Sequence, residues 1–188
     1  MTFTASLLAA LVALPAISQP VGQRLAPYVP SPQEVIDRML EVAQARQGDT
    51  VIDLGCGDGR ILITAVQKFR ARAIGIEIDP KIAKEASDTI LKLGLQNKAR
   101  VVRADVFDVD LSQADVVTLY LTTSFNEKLR PKFEKTLRPG TRVVSHDYGI
   151  RGWNPREVEE VFVHGRRHRI FLYIVEAKPN LPLEGKKN

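Results

Sequence analysis

The chain has 188 residues, with 27 Lys or Arg against 22 Asp or Glu and a formal net charge of +5. That length predicts one domain with a full core, and the small positive charge only weakly favours acidic partners such as nucleic acid or anionic lipid. The single cysteine, Cys56, excludes an internal disulfide, and the three histidines form no His/Cys cluster along the sequence that would indicate a metal site.

Residues 1–23 carry no charged side chain, and the stretch 3–17 is mostly apolar. This run is shorter than the roughly 20 apolar residues that a membrane-spanning helix needs. Three interpretations stay open: an uncleaved membrane anchor, a secretory signal cleaved near 16–18, or an extension without function. Because the first basic residue, Arg24, follows the apolar run, an anchor would leave the folded part on the cytoplasmic side. Without an anchor we expect a soluble cytoplasmic protein.

The first predicted helix covers about 32–45. Ser31 and Glu34 have the spacing of a capping box, and Pro32 fits the first helical position. Apolar residues recur on one face at positions 35, 36, 39, 40 and 43. Just before this helix, Tyr28 is either a surface aromatic or part of a flap that closes over a ligand.

The segment 51–60, VIDLGCGDGR, predicts a strand, a glycine turn and a helix. A short apolar strand contains Asp53, three glycines follow at alternate positions, and a helical pattern of apolar residues runs from 61 to 69. Glycine is needed where the backbone takes a positive φ or approaches a ligand, and the helix start offers free N–H groups. We interpret Cys56, within the turn, as a small space-filling residue and not as a nucleophile.

The glycine spacing excludes two familiar phosphate-binding motifs. A dinucleotide site would show G-x-G-x-x-G, but here the third glycine comes one residue early, and the Gly-Lys-Ser/Thr of a Walker loop is absent. Asp53 would repel a pyrophosphate but suits a ligand with an ammonium group. S-adenosylmethionine carries an ammonium, a carboxylate and a sulfonium, and no phosphate, so we predict it as the cofactor. The pattern resembles motif I of the class I (Rossmann-like) methyltransferases; the alternative is an ordinary strand-to-helix turn.

The second and third predicted strands end in acidic residues. Glu77 closes the strand 72–78, 22 residues after Gly55, where an acid accepts hydrogen bonds from ribose hydroxyls. The third strand, 100–104, leads into Asp105 and Val106. In this fold, Asp105 is placed to accept from the adenine amino group and Val106 to lie against the ring. The alternative for both acids is a solvated position at a strand end or turn.

A helix follows each of the second and fourth strands. Asp79 is the predicted N-cap of the helix from 80 to about 93. After the fourth strand, 114–121, Ser124 and Glu127 predict a second capping box. We interpret the stripe that recurs every fourth residue in the helix that follows as core: Phe125, Leu129, Phe133 and Leu137.

The acceptor side is expected at the ends of the fourth and fifth strands. Tyr120 closes the fourth strand, and His146 and Asp147 close the fifth, so these three are the candidate catalytic residues, which we expect to shape the acceptor channel. The Asn/Asp-Pro-Pro-Tyr motif of many base and glutamine methyltransferases is absent here, which counts against a nucleic-acid amine as acceptor. The chain then closes with a predicted hairpin, 158–163 and 168–175, around a basic turn.

These elements predict an α/β fold of the class I methyltransferase type. Right-handed crossovers give a seven-stranded, mainly parallel sheet with one antiparallel strand and helices on both faces. The cofactor is expected at the carboxyl ends of the strands, beside the first one. We divide the chain into an apolar N-terminal segment (1–23), a methyltransferase domain (24–177) and a polar tail (178–188).

Six segments resemble one methyltransferase family in particular. It contains the archaeal broad-specificity protein-lysine methyltransferase and the mitochondrial lysine methyltransferases of the ATP synthase c-subunit and the adenine nucleotide translocase. The segments are YVPSP at 28–32, DLGCGDGR at 53–60, GIEID at 75–79, VVTLYL at 116–121, LRPGTRVVSHD at 137–147 and RGWNP at 151–155. The resemblance implies that Tyr28, Asp53, Gly55, Gly57, Glu77 and Asp105 hold the cofactor. Pro30, Cys56 and Ile78, from the same segments, and Val106, next to Asp105, complete the candidate set.

The predicted function is transfer of methyl groups from S-adenosylmethionine to lysine side chains of proteins. We expect a monomer acting on proteins with an exposed lysine, with nucleic acid not expected as a partner and membrane association through 3–17 left open. No metal is expected, because the leaving group is neutral. Two alternatives remain: a methyltransferase for a small molecule or RNA, or a module that has kept the fold and lost the activity.

Overall fold

The computed structural model describes residues 29–177, which form one sheet with four helices. The helices are α1 (Gln33–Val42), α2 (Arg60–Gln67), α3 (Pro80–Lys92) and α4 (Thr123–Thr136). The strands are β1 (Thr50–Leu54), β2 (Arg72–Glu77), β3 (Ala99–Arg103), β4 (Val116–Leu119), β5 (Arg142–His146), β6 (Glu157–Val163) and β7 (Arg166–Ile174). Helices and strands alternate from α1 to β3, β4 follows β3 without a helix between them, and α4 then connects β4 to β5.

The strand order of the sheet is β3-β2-β1-β4-β5-β7-β6. The first five strands pair in parallel, and β7 runs antiparallel to both β5 and β6. This arrangement confirms the predicted fold: seven strands, mainly parallel, with one reversed. The strand order changes direction between β1 and β4, and a crevice opens outside their carboxyl ends, where such sheets bind ligands.

Helices cover both faces of the sheet. On one face, buried residues of α1, α2 and α3 pack with inward-facing residues of β1, such as Val51. On the other face, Leu129 and Phe133 of α4 pack with Ile52 and Leu54 of the same strand. Because side chains alternate along a strand, the apolar residues of β1 contribute to both cores.

Gly75 in β2 allows a close contact between the sheet and the glycine turn. A Cβ at this position would lie 2.6 Å from Leu62 Cδ1, and it would also meet the Cys56 side chain. Such separations are below van der Waals contact, so no larger residue fits without displacing the turn. Cys56 is buried and fills this space, which agrees with its interpretation as a packing residue.

Neither predicted capping box forms. The cap residue of α1 is Pro32, which makes no side-chain cap bond, while the Ser31 hydroxyl lies 2.7 Å from Nδ1 of His146. In the same way α4 has Thr122 as its cap residue without a side-chain bond, and Ser124 Oγ lies near the Thr122 hydroxyl. The Ser31 hydroxyl, which the local spacing predicted to cap the helix, is instead hydrogen-bonded to the buried imidazole of His146, 115 residues away. By contrast, the predicted N-cap Asp79 accepts from the N–H groups of the first turn of α3.

The terminal hairpin is tighter than predicted. His164 and Gly165, both with positive φ (49° and 74°), form a two-residue turn that suits the twist of the two strands. The basic residues Arg166 and Arg167 therefore belong to β7 and not to the turn. This difference matters for the site, because the Arg166 side chain reaches back to Asp147.

No helix within residues 29–177 is both long and apolar enough to cross a membrane. The apolar segment 1–23, the tail 178–188 and the candidate flap residue Tyr28 lie outside the described residues.

Candidate active site

One cavity opens at the carboxyl ends of β1, β2 and β4. Every candidate cofactor residue that the structure describes lines it, from Pro30 to Val106, and Tyr120 lines it as well. His146 and Asp147 do not line it. The structure thus brings the cofactor set together but divides the catalytic set.

The glycine turn is held against the end of β2 by backbone hydrogen bonds. Gly55, Gly57 and Gly59 all have positive φ (79°, 54° and 81°), the conformation for which glycine is favoured. The N–H groups of Gly55 and Cys56 both donate to the Ile76 carbonyl, at 2.9 and 3.0 Å. The turn is therefore positioned by the neighbouring strand and has a fixed geometry next to the cavity.

Glu77 is held in place by two backbone donors. Its Oε2 accepts from the Gly57 N–H at 3.1 Å and its Oε1 from the Asp79 N–H at 2.9 Å. Each carboxylate oxygen retains a free lone pair, so the group can still accept from a ligand hydroxyl. This geometry is compatible with the predicted bond to ribose, which stays a prediction.

Asp53 is a buried acid on the floor of the cavity. It is 3% exposed, and its Oδ1 accepts from the Thr118 hydroxyl at 2.7 Å. Burial raises the pKa of Asp53 to about 7, and the nearby carboxylates of Glu77 and Asp58 add to that effect. A cationic group placed in the cavity would relieve this cluster of negative charge, so the residues fit a ligand with an ammonium group.

Arg60 links the glycine turn to the segment that precedes α1. Its guanidinium forms a bidentate pair with Asp58, with Nη2 to Oδ2 at 2.6 Å, and its Nη1 donates to the Ser31 carbonyl at 2.9 Å. Segment 29–31 thereby becomes one wall of the cavity.

Phe125 is a cavity residue that the sequence interpretation assigned to the core. It lines the cavity and stacks on Phe107 with ring centroids 5.4 Å apart. Two hydrogen bonds hold the backbone of Phe107. Nζ of Lys132 donates to the Phe107 carbonyl at 2.7 Å, and the Phe107 N–H donates to Asp105 at 3.0 Å. The missed signal is position: α4 starts directly after β4, so its first turn lies at the ligand edge of the sheet.

Tyr120 forms the far wall of the cavity and rests on His146. The two rings stack with centroids 3.8 Å apart and an angle of 27° between their planes. His146 is completely buried, and burial lowers its pKa to about 4, an effect that Asp147 offsets only in part. The imidazole is therefore neutral at physiological pH and out of reach of a ligand in the cavity.

Asp147 connects the end of β5 to β7. Its Oδ1 accepts from the Arg169 N–H at 2.9 Å, and its Oδ2 lies 2.8 Å from Arg166 Nη2 and 3.4 Å from the Tyr120 hydroxyl. Burial alone would raise the pKa of Asp147, but the Arg169 N–H and the nearby His and Arg side chains bring it below its usual value. An ionised carboxylate thus stands directly behind the Tyr120 phenol.

His168 is the second residue that the sequence interpretation missed. Its Nδ1 lies 2.8 Å from Nε2 of His146, and it is 4% exposed. The alternation of β7 puts His168, Ile170 and Leu172 on the buried side. The alternation of apolar and polar residues in β7 is visible in the sequence. It indicates a contact between His168 and His146 only once β7 is known to pair with β5.

The ligand atoms of His146, Asp147 and His168 all lie within 4.8 Å of one another. This juxtaposition was not predicted, because the three residues show no metal-site spacing. In the structure the two imidazoles share a hydrogen bond, and Arg166 donates a hydrogen bond to the Asp147 carboxylate. Each facing atom thus already has a protein partner, and we interpret the cluster as a hydrogen-bond network.

The fold, the glycine turn and the acids around the cavity define a class I methyltransferase. Residues 53–157 match the model of the ANTKMT methyltransferase domain, so the chain belongs to this family. Family membership confirms the resemblance that the sequence segments predicted.

Two curated relatives show how far the likeness extends. The chain is 51% identical to a protein-lysine N-methyltransferase of Saccharolobus islandicus over 150 residues, which cover 79% of this chain and 93% of the relative. It is 30% identical to the adenine nucleotide translocase lysine N-methyltransferase of Mus musculus over 69% of this chain, but it spans only 56% of that relative.

Among solved structures, one similar chain is an RNA methyltransferase from Salinibacter ruber in complex with S-adenosyl-L-homocysteine. The TM-score is 0.75 with 40% identity, and the match covers 84% of this chain and all of the other. A tRNA methyltransferase from B. subtilis has a TM-score of 0.62 at 17% identity, a likeness of fold alone, and the match covers 74% of this chain and 65% of the other.

Proposed function

We propose that this protein transfers methyl groups from S-adenosylmethionine to the side-chain amine of lysine in protein substrates. The observation that carries the proposal is a single cavity with two different walls. One wall is the glycine turn with its acids, and the other is an aromatic residue, Tyr120, at the end of β4. The identity of 51% to a protein-lysine N-methyltransferase supports lysine as the acceptor.

The cofactor wall offers a partner for each polar part of S-adenosylmethionine. We assign the ammonium group to Asp53, the ribose hydroxyls to Glu77 and the adenine amino group to Asp105, with Val106 and Phe125 beside the base. Tyr28 would close over the cofactor from the N-terminal side. For the described residues, burial, charge and placement in one cavity support these roles, whereas the role of Tyr28 rests on the resemblance of the sequence.

When bound, S-adenosylmethionine would supply an activated methyl group on a sulfonium, and the leaving group would be a neutral thioether. The chain must therefore bind the lysine, align it and let its proton leave. Deprotonating a free lysine at pH 7 costs about 4–5 kcal/mol, given a pKa near 10.4. An apolar wall residue such as Leu121, next to Tyr120, would lower that cost by disfavouring the charged amine. Alignment within such a site can itself lower a barrier by about 7–11 kcal/mol.

The three candidate catalytic residues then have unequal roles. We assign contact with the acceptor to Tyr120, because it alone lines the cavity. His146 supports its ring from behind, and Asp147 places a negative charge 3.4 Å from its hydroxyl. On this assignment His146 and Asp147 are positioning residues.

A second candidate function is methylation of RNA. It is favoured by the likeness to the RNA methyltransferase of Salinibacter ruber at 40% identity and, weakly, by the net charge of +5. Two similar proteins thus carry names with different acceptors. We favour the protein acceptor because the likeness to the lysine methyltransferase has the higher identity, 51%.

Methyl-labelled S-adenosylmethionine separates these functions. Purified protein is incubated with a lysate fraction of protein or of RNA, and the label is traced to modified lysines by mass spectrometry. We expect label on lysine in the protein fraction and none in RNA, with an Asp53→Asn variant as the inactive control. Label in RNA alone would establish the second function, and cofactor binding without transfer to either fraction would indicate a module that has lost its activity.

Two further expectations can be checked on the full chain. We propose that residues 3–17 attach the protein to a membrane, with the folded part on the cytoplasmic side. Fractionation should find it with membranes, and deletion of 1–23 should release it. We also propose that the folded part is a monomer, which size-exclusion chromatography with light scattering would establish.

A further inference from the structure

Two buried imidazoles lie between the two walls of the cavity. His146 is at the end of β5 and His168 is in the adjacent strand β7, and their ring nitrogens Nε2 and Nδ1 are 2.8 Å apart. The two residues are 0% and 4% exposed, and neither lines the cavity. They therefore cannot touch a substrate, and any effect on the reaction must pass through their neighbours.

The neighbours of His146 belong to both walls. On one side the Tyr120 ring stacks on the imidazole with a centroid distance of 3.8 Å. On the other side Nδ1 lies 2.7 Å from the hydroxyl of Ser31. Tyr120 and Ser31 both line the cavity, and the Ser31 carbonyl is also held by Arg60. The orientation of one buried ring thus sets a residue on the acceptor side and a residue on the cofactor side.

We propose that His168 is a positioning residue for methyl transfer, which acts by holding His146 in one ring orientation and one tautomer. Through His146 it keeps Tyr120 and Ser31 in place on the two walls of the cavity. The inference rests on the proposed function for its effect on turnover, while its effects on the tautomer and on cofactor binding can be measured without any acceptor.

His146 is neutral at physiological pH, because burial lowers its pKa to about 4. Its neutral ring has one N–H and one lone pair, and both nitrogens are bonded, so one must donate and the other must accept. Either Nδ1 donates to Ser31 and Nε2 accepts from His168, or Ser31 donates to Nδ1 and Nε2 donates to His168. The bond to His168 is compatible with either tautomer, but in each it fixes the orientation of the His146 ring and ties the position of the His146 proton to that of the His168 proton.

Loss of His168 would leave Nε2 of His146 without this partner in a buried place. An unsatisfied buried polar atom is costly, so the ring would turn toward the next acceptor. That acceptor is Asp147, whose Oδ2 lies 3.5 Å from Nε2 and already binds Arg166. A turned imidazole no longer supports the Tyr120 ring in the same plane, and its Nδ1 moves away from Ser31.

Three substitutions of His168 test the proposal. His168→Phe keeps a flat ring and removes the nitrogen. His168→Asn places an amide nitrogen or oxygen one bond beyond Cγ, at the position of the histidine Nδ1, so it can still bond His146. His168→Gln places the amide one bond further out, away from that position. We expect His168→Phe to lower kcat on the order of tenfold to a hundredfold, the scale of a 1 Å misplacement, and to raise KM for S-adenosylmethionine. His168→Asn should recover most of kcat and His168→Gln much less.

A spectroscopic signature separates positioning from a general loss of structure. The chain has only three histidines, so ¹⁵N spectra of the imidazoles can be assigned by substitution. We expect a single tautomer for His146 in the wild type and in His168→Asn, and a mixture in His168→Phe. The exposed turn residue gives a matched control, since His164→Asn should leave the His146 signals, the melting temperature and kcat unchanged.

A folded His168→Phe with wild-type kcat and an unchanged His146 tautomer would overturn the proposal. If His168→Phe does not fold, equal turnover in His168→Asn and His168→Gln would overturn it as well. Calorimetry with S-adenosylmethionine keeps the two proposals apart. Cofactor binding and the expected tautomer change without methylation of any lysine would contradict the proposed acceptor, but not the positioning role.

Discussion

The two walls of the cavity are built in different ways. The cofactor wall consists of β1, the glycine turn and the end of β2, and its contacts join residues close in sequence, such as the Gly57 N–H and Glu77, 20 positions apart. The acceptor wall joins Tyr120, His146 and His168, and its contact with Ser31 on the cofactor side spans 115 positions. The first wall relies mainly on backbone donors and a buried acid, and the second on side chains that hold other side chains.

This difference predicts two kinds of failure. On the cofactor wall a substitution removes a partner of the ligand, so binding should fall. On the acceptor wall His146, Asp147 and His168 do not line the cavity, so their loss should mainly lower turnover, and binding should change only as far as Ser31 is displaced. The following changes test that division.

The largest effect is expected for Asp53→Asn, which removes the buried charge from the cofactor wall. Truncating one partner of a buried charge pair costs about 2–5 kcal/mol, so the Kd for S-adenosylmethionine should rise by roughly thirtyfold or more. Isothermal titration calorimetry at pH 8, where the wild-type acid is ionised, measures this directly. An unchanged Kd would remove Asp53 from the ligand contacts.

The same variant should be more stable than the wild type without cofactor. Because the pKa of Asp53 is raised to about 7 in the folded state, the folded chain binds more protons than the unfolded one between about pH 4 and 7. Wild-type stability therefore falls as pH rises through this window, and each unit of pKa corresponds to about 1.4 kcal/mol. Urea unfolding should give Asp53→Asn a higher free energy of unfolding than the wild type at pH 8, and the two values should be equal at pH 4.

On the acceptor wall, Asp147→Ala should lower turnover about tenfold to a hundredfold, the range for a misaligned acceptor. The Kd for S-adenosylmethionine should stay within about twofold, because Asp147 does not line the cavity. Kinetics and calorimetry on one preparation give both values. Asp147→Asn keeps an acceptor for the Arg169 N–H and removes the charge, so it separates the geometric effect from the electrostatic one. Turnover that is unaffected by Asp147→Ala would remove this residue from the site.

The contrast also explains which parts could be predicted from the sequence. Glycine spacing and an acid at a strand end are local signals, and they predicted the fold and a cofactor set that the structure places around one cavity. Ser31 was misinterpreted because a local capping pattern competes with a bond to a residue 115 positions away. His168 carried no local signal beyond alternation. Phe125 has the spacing of a core residue and lies at the cavity because α4 begins there.

A smaller effect is expected for pH acting on the wild type. Below pH 7 Asp53 becomes protonated in the free protein, so cofactor binding must first release that proton. The observed Kd should then rise by about tenfold per pH unit between 6.5 and 5.5, the slope for one linked proton. The groups that face Asp53 are Glu77, Asp58 and Thr118. Calorimetry across this range should show the dependence of Kd on pH in the wild type and no such dependence in Asp53→Asn. A flat profile would mean that Asp53 is already ionised or makes no contact.

The smallest effect is expected where the two walls meet, at Ser31. Ser31→Ala removes the hydroxyl that bonds His146, but the Ser31 carbonyl stays bound to Arg60, so the segment keeps one of its two attachments. A net hydrogen bond contributes about 0.5–1.5 kcal/mol, so KM for S-adenosylmethionine should rise roughly two- to tenfold.

Ser31→Thr keeps the hydroxyl and should stay closer to the wild type. Ser124→Ala is the matched control, because both serines have the same capping pattern in the sequence while the structure bonds the Ser124 hydroxyl to Thr122, at the exposed start of α4. If the two alanine variants behaved alike, the bond between Ser31 and His146 would not couple the walls, and the acceptor wall would have to be held by Asp147 and β7 alone.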